Sequence, residues 1–343
     1  MSSVSIHDVA EAAGVSTATV SYVLNDSRPV TDATRARVLE AVEELGYRPN
    51  VTARSLQAKR SFLIGYSWRP LPPKNHSPIL DRFIHSMGLA AYRAGYHLLA
   101  FPAPSEEAQV DVYRDLVATN RVDGIILSAT DIEDPRVEYL ATTNIPFVAF
   151  GRCGDRDICP WVDVDGRAGV QRAVEHLAEQ GHFRIGMLAW PQGSQSGEDR
   201  YQGYYSGLQQ LALPARQEWV VRVNHDTAEG YEGMKQLLSL PSSERPTAVV
   251  CVSDLIALGA MNAIREAGLR VGADFGVVGF DNMPLAAHLA PPLSSLHQPI
   301  DQVGVLVIDQ LTSLIEGEQL GKERAQILLE PKLVVRASSL RSV

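Results

Sequence analysis

From residue 62 onward, short apolar runs alternate with amphipathic stretches, and this alternation restricts the folds open to the chain. "FLIGYS", "HLLAFPA", "VDGIILSA" and "IPFVAFG" are apolar almost throughout, as strands covered on both faces must be. They are interspersed with helically spaced stretches at 78 to 94 and 106 to 119. A second series begins at "WVDVD" and runs through "RIGMLAW", "WVVRVN", "TAVVCVS" and "FGVVGFD". Strands alternating with helices predict parallel sheets with crossover helices, so the pattern predicts two doubly wound α/β lobes. A length of 343 residues exceeds one ordinary core and agrees with several compact units. After the second series, "LSSLHQPIDQVGVLVIDQLTSLIEG" reads as a return strand and helix for the first lobe. "AQILLEPKLVVRASS" then reads as a closing strand pair.

The first 48 residues follow a different rule. In "SIHDVAEAA", Ile6, Val9, Ala10 and Ala13 recur at helical spacing, with Ser5 as N-cap and Asp8 three residues later. Gly14 stops this helix, Val15 can bury in the turn, and Ser16 can cap a second helix. On that helix Val20, Val23 and Leu24 fall on one side, while Thr17, Ala18, Ser21, Tyr22 and Asn25 gather on the other. Two helices joined by a three-residue turn containing Gly form a helix-turn-helix, whose second helix enters the major groove. An uncharged face of hydroxyls, a methyl, a phenol and an amide suits base edges and the thymine methyl, and leaves phosphates to other residues. Taken alone, these residues are better described as a capped surface helix in a small bundle. "TDATRARVLEAVEELGY" adds a third helix, with Thr31 as N-cap, an apolar set of Val38, Leu39, Val42 and Leu45, and Gly46 as the stop. The result is an all-α headpiece over 1–48, followed by a polar, basic linker over 49–61 and the α/β region over 62–343.

Charge must be read by segment. The formal net charge is −9, yet residues 1 to 60 hold seven Lys/Arg against seven Asp/Glu, so the acidic excess lies beyond them. Residues 48 to 60 carry four cations and no anion, which is where phosphates would be met. No segment reaches the roughly 18 apolar residues that a membrane span needs, and the amino terminus has no basic start before an apolar run. A cytoplasmic protein with no membrane partner is expected. Cys153, Cys159 and Cys251 form neither a disulfide framework nor a Cys-x-x-Cys pair and read as buried small apolar residues. No metal site and no cofactor are expected.

"DVAEAAGVSTATVSYVLN" followed by "ATRARVLEAVEELGYRPNVTARSLQ" resembles the lactose and purine repressor family of bacterial transcription regulators, and the likeness continues along essentially the whole chain. The resemblance implies a helix-turn-helix headpiece joined to a two-lobed effector domain similar to periplasmic sugar-binding proteins. It implies that Ser16, Thr17, Ala18, Thr19, Ser21, Tyr22 and Asn25 face DNA, together with Asn50, Ala53, Arg54 and Leu56 of a hinge helix. Leu56 matches the family's minor-groove wedge, and Ala53 would let the paired hinge helices of a dimer approach closely. The interlacing implies lobe 1 over about 62–160 plus 293–322, and lobe 2 over about 161–290 plus 325–340.

An effector would lie between the lobes at the carboxyl ends of the strands. Arg200 in "GEDRYQGY" and Asp281 at the end of "FGVVGFD" have charges suited to sugar hydroxyls, and the resemblance supports them most strongly. Ser253 and Asp254 end "TAVVCVSD", although Asp254 also suits a helix N-cap. The same comparison places His225, Gln298, Phe150 and Ser196 on the cleft wall, and Trp68 can stack on a sugar ring. Asp163 and Asp165 read as strand-end or cap residues. Two departures matter. The family's frequent arginine in the recognition helix is Tyr22 here, so base preference does not carry over. No leucine heptads follow residue 339, so the resemblance implies a homodimer rather than a tethered tetramer.

The expected function is operator binding by a repressor controlled by a small ligand, a carbohydrate by preference. A purine co-repressor is the alternative. Catalysis is not expected, because "QGSQSG" has the wrong spacing for a nucleophile elbow and no phosphate loop or His-Glu-x-x-His occurs. A transport-type sugar binder would lack the headpiece.

Overall fold

The computed structural model describes residues 4–25, 28–47, 55, 60–68, 70, 77–153 and 158–341. The chain divides into two compact units, 1–61 and 62–343.

The first unit contains α1 (Ile6–Ala13), α2 (Thr17–Asn25) and α3 (Asp32–Glu44). The Asp8 carboxylate accepts from the Ser5 backbone N–H at 2.7 Å and from its hydroxyl at 2.9 Å. Gly14 closes α1 in the left-handed conformation, φ 63°. The Ser16 hydroxyl accepts from the Thr19 N–H at 3.1 Å, and Thr31 caps α3 by accepting from the Thr34 N–H at 3.3 Å. The apolar spacings converge as expected except at Leu39, which spacing puts on the apolar face of α3 but which is exposed, one helical step beyond buried Val38. Val9, Ala10, Ala13, Val20, Val23, Val38 and Ala41 form one small core.

The second unit is built on two six-stranded sheets. Its first half runs β1 (Leu63–Trp68), α4 (Pro78–Arg93), β2 (His97–Pro102), α5 (Glu106–Ala118), β3 (Gly124–Ser128), α6 (Pro135–Ala141), β4 (Phe147–Phe150) and β5 (Trp161–Val164). Then come α7 (Gly166–Glu179), β6 (Ile185–Ala189), α8 (Gln195–Gln210), β7 (Val220–Arg222), α9 (Thr227–Ser239), β8 (Ala248–Cys251), α10 (Asp254–Glu266) and β9 (Gly276–Asp281). The chain closes with β10 (Ser294–His297), α11 (Ile300–Ile315), the short α12 (Lys322–Ala325), β11 (Gln326–Leu329) and β12 (Lys332–Val334).

The sheet orders are β11-β5-β4-β3-β1-β2 and β12-β10-β9-β8-β6-β7. All pairings are parallel except β10 with β12. Strands β6, β8 and β9 are buried at every residue, which explains their unbroken apolar sequences. In the first lobe, α4 and α11 share a core with one face of the sheet, including Phe83, Met87, Val303 and Val307.

Three expectations are corrected by this topology. β5 completes the first sheet beside β4, so the second lobe begins after it rather than at residue 161. β10 pairs with β9 in the second sheet, so of the strand and helix expected to return to the first lobe only the helix, α11, does so. β11 and β12 are not a closing pair, because each ends a different sheet. The physical reason is common to all three. A strand whose faces are both apolar gives no sequence signal of which sheet it joins, and the connections across the lobes are only a few residues long.

The cysteine expectation is also corrected in part. Cys153 and Cys159 are joined in a disulfide, their Cα atoms 6.5 Å apart, within the ordinary reach of such a bond. Cys251 is buried and free, and burial pushes its thiol pKa up. Among the described residues, no helix is long and apolar enough to cross a membrane and no metal-ligand cluster occurs.

Candidate functional site

A cavity of about 540 Å³ lies between the two sheets, lined from the carboxyl ends of strands in both. The first lobe supplies an aromatic wall. Trp68 leaves the end of β1 and stacks on Tyr66, with ring centroids 6.1 Å apart. Phe83 and Phe150 pack together at 4.9 Å, and Ile79 and Leu80 extend the apolar surface. Beside this wall Arg136 grips buried Asp134, donating from Nε to Oδ1 at 2.9 Å and from Nη2 to Oδ2 at 2.6 Å. Its Nη1 donates to Gln109 Oε1 at 2.7 Å.

The second lobe supplies the polar floor. Arg200 projects from α8 and is buried, its guanidinium carbon 3.7 Å from the Phe280 ring centroid and 4.6 Å from that of Trp190. Its Nη1 donates to the Val252 carbonyl at 2.5 Å. Burial pushes the Arg200 pKa down, and the carboxylates of Asp281 and Asp163 oppose that shift. Asp281 ends β9 with φ 112°, a backbone region that side chains rarely adopt. Gln298 holds it by donating Nε2 to Oδ1 at 2.7 Å. Burial raises the Asp281 carboxyl pKa, and Arg200 pulls it back.

Three polar atoms on this floor are buried with no hydrogen-bond partner among the described residues: Arg200 Nε, Trp190 Nε1 and His225 Nδ1. His225 meets Trp190 edge to face at 5.6 Å, and burial, then the charge of Arg200, push its pKa down to about 4. It is therefore neutral at pH 7. Buried donors and acceptors are almost always paired in folded proteins, and these three belong to side chains that line one cavity.

The cavity brings together Trp68, Phe150, Ser196, Arg200, His225, Asp281 and Gln298. Ser253 and Asp254 do not reach it. The Ser253 hydroxyl caps α10 by accepting from the Ile256 N–H at 3.3 Å. Asp254 accepts from the Met283 N–H at 2.7 Å and the Ser295 hydroxyl at 2.6 Å, with burial raising its pKa. It ties the end of β9 to β10 beneath the floor. Asp165 caps α7 as expected, accepting from the Ala168 N–H at 2.8 Å. Asp163, expected as a strand-end or cap residue, lines the cavity instead, and burial raises its carboxyl pKa. Sequence reasoning also missed Trp190, Asn224, Asp199, Gln109 and Arg136. Trp190 and Asn224 follow apolar strand runs and were open to the strand-end argument that found Asp281.

In the first unit, Val20 and Val23 of α2 are buried, Ala18 is exposed, and Thr17, Thr19, Ser21 and Tyr22 are half-buried. The Arg28 guanidinium lies 5.0 Å from the Tyr22 ring centroid. The side chain of Asn25, and Asn50, Ala53, Arg54 and Leu56, lie outside the described residues.

Residues 5–50 match the model of bacterial regulatory proteins of the lacI family, and residues 174–339 match the periplasmic binding protein-like domain. A curated relative, the HTH-type transcriptional repressor PurR of Actinobacillus pleuropneumoniae serotype 3 (strain JL03), is 32% identical over 97% of each chain. The chain belongs to the LacI family.

Two solved structures of relatives cover nearly the whole chain. One is the Lac repressor dimer bound to operator and the anti-inducer ONPF, 31% identical, covering 99% of this chain and 100% of that one, with a TM-score of 0.84. The other is the transcriptional regulator CelR in complex with cellobiose, 30% identical, covering 98% and 99%, with a TM-score of 0.75. A LacI-family chain joins a helix-turn-helix to a two-lobed ligand domain, and both parts are present here in that order.

Proposed function

We propose that this chain is an operator-binding repressor, acting as a homodimer in the cytoplasm, whose DNA affinity is set by an uncharged carbohydrate in the cavity between the lobes. The observation that carries the ligand reading is the trio of unpartnered polar atoms on Arg200, Trp190 and His225, side chains that line one cavity with the aromatic wall. Hydroxyl-rich rings satisfy such donors with their edges and pack a face on Trp68. Among the described lining residues, the carboxylates are Asp131, Asp163, Asp199 and Asp281, and the guanidiniums are Arg136 and Arg200. Arg136 is already paired with Asp134, and Asp163 and Asp199 share Arg152, which leaves Asp131 and Asp281 against Arg200. A phosphorylated ligand would meet surplus negative charge there, whereas a neutral sugar would not. CelR's complex with cellobiose supports the same class.

The homodimer rests on the Lac repressor relative, which is a dimer on its operator. Lobe closure is the switch in this reading, and the ligand acts only through a difference in affinity between closure states. We assign no catalytic step to the chain.

The test is thermal melting of the full-length protein with cellobiose, maltose, lactose, glucose, glucose 6-phosphate and hypoxanthine. A ligand that prefers the folded cleft raises the midpoint by mass action. A shift with a neutral sugar, followed by changed retention of operator selected from random duplexes, supports the proposal. A shift with hypoxanthine alone replaces it with the purine co-repressor reading.

A further inference from the structure

Arg152 lies two residues past the end of β4 of the first lobe and stands between two carboxylates. Its Nε donates to Asp163 Oδ2 at 3.3 Å, on β5 of the same lobe. Its Nη2 pairs with the carboxylate of Asp199, on α8 of the second lobe. The side chains of Arg152, Asp199 and Asp163 are 32%, 16% and 5% exposed, so solvent and salt screen this group much less than a surface pair. The base of Arg152 is fixed on the first lobe: its carbonyl accepts from the Thr130 hydroxyl at 3.0 Å, and Cys153 beside it is bonded to Cys159. The lobes also touch through backbone. The Ile132 N–H donates to the Gly193 carbonyl at 3.0 Å, and Asp131 bridges Ser194.

We propose that Arg152 is the positioning residue that holds the lobes together across the cavity. Asp163 and Asp199 approach from opposite lobes, and without a cation between them two partly desolvated like charges oppose that approach. The guanidinium turns a repulsive contact into an attractive one, so its loss does more than delete a bond. It also keeps both carboxylates in place on the cavity lining, where they help reject an anionic ligand. The latch acts in the free protein and does not depend on which ligand the cavity takes.

Hydrogen exchange of the full-length protein, read at the peptide containing Ile132, reports the backbone contact across the cleft. Arg152→Met is expected to speed exchange there about fivefold or more, with peptides of the two sheets unchanged. Asp199→Asn alone should speed it by a smaller factor. Combined with Arg152→Met it should slow exchange again, because the unmatched charge of the second lobe has gone. Two results overturn the latch: exchange at Ile132 unchanged in Arg152→Met, or an effect of Arg152→Met that only Asp163→Asn relieves, which would make Arg152 a counter-ion within its own lobe. If Arg152→Met fails to fold, Asp199→Asn alone decides, and wild-type protection at Ile132 in that variant refutes the proposal.

Discussion

Arg200 is held over the Phe280 ring, its guanidinium carbon 3.7 Å from the ring centroid, rather than by a direct ion pair with Asp281. Asp281 is held separately by Gln298. The two charged groups of the floor are therefore each fixed by a neutral neighbour and influence one another through space. This arrangement leaves hydrogen-bonding capacity on Arg200 for an incoming hydroxyl, and it keeps the pair charge-balanced while the cavity is open.

Arg200→Met should keep the apolar stacking on Phe280 and remove the donor. The expected outcome is loss of the sugar-induced melting shift, a weakening of about 2 to 3 kcal/mol for a charged hydrogen bond, with operator binding of the free protein retained. Melting with the sugar panel and operator retention measure the two halves. Joint loss of both would mean that Arg200 serves folding instead.

Leu56, carried over from the family resemblance as the minor-groove wedge, gives a test on DNA. Leu56→Ala is expected to weaken binding to the selected operator by about tenfold or more, since an intercalating side chain stabilises the kinked duplex. Binding to unrelated duplex should stay within about twofold, because phosphate contacts dominate it. Fluorescence anisotropy at fixed salt on both duplexes reads the ratio.

Buried His182 bonds Thr247 through Nδ1 at 3.0 Å, while its Nε2 has no hydrogen-bond partner among the described residues. Burial, then the charge of Arg341, push its pKa down to about 4. The unfolded chain, with histidine near 6.5, takes up the proton first, so this stability is present above that value and is lost as pH falls towards 4. The difference is of order 2 to 3 kcal/mol. His182→Gln removes this contribution, so the melting midpoint of the variant should approach that of wild type as pH is lowered from 7 to 4.5. A gap that does not change with pH would contradict it.

Helices α9 and α10 cross with their backbones almost touching. A Cβ on Gly259 would stand 2.0 Å from the Thr227 carbonyl oxygen, and one on Gly230 would stand 2.4 Å from that of Ile256. Neither clash involves a side chain that can swing away. Gly259→Ala is therefore expected to cost about 2 kcal/mol or more despite the better helix propensity of alanine. Urea denaturation of the effector region checks this, and a neutral or stabilising result would mean that the helices separate freely.

Residues at the ends of apolar runs were legible in the sequence. Asp281 and Trp68 are the last residues of β9 and β1, where a parallel strand delivers a side chain to the cleft, and periodicity marks such places; Gln298, one residue past β10, was reached only through the family resemblance. Asp254 shows the limit of that rule. It also follows an apolar run, but β8 stops at Cys251, and the chain turns into α10 before Asp254 can reach the cavity. Arg152 was invisible for another reason: its partners lie 11 and 47 positions away, and nothing local distinguishes it from a solvated surface arginine. The three helices of the headpiece and their caps were legible, because caps and helical spacing act over three or four residues and need no distant contact, although spacing misassigned exposed Leu39 to the buried face.

The interlaced strands bear on how the protein is made. β11 is the outer strand of one sheet and β12 that of the other, and only two residues separate them. A nascent chain emerging from the ribosome can assemble neither sheet fully until residues 326–334 are outside the tunnel. Until then, β5 and β10 each present an unfilled edge to neighbouring molecules. Folding of both lobes therefore finishes in a single late event. Synthesis that stalls shortly before this segment would leave a chain bearing a DNA-reading headpiece and two sticky, unfinished sheets.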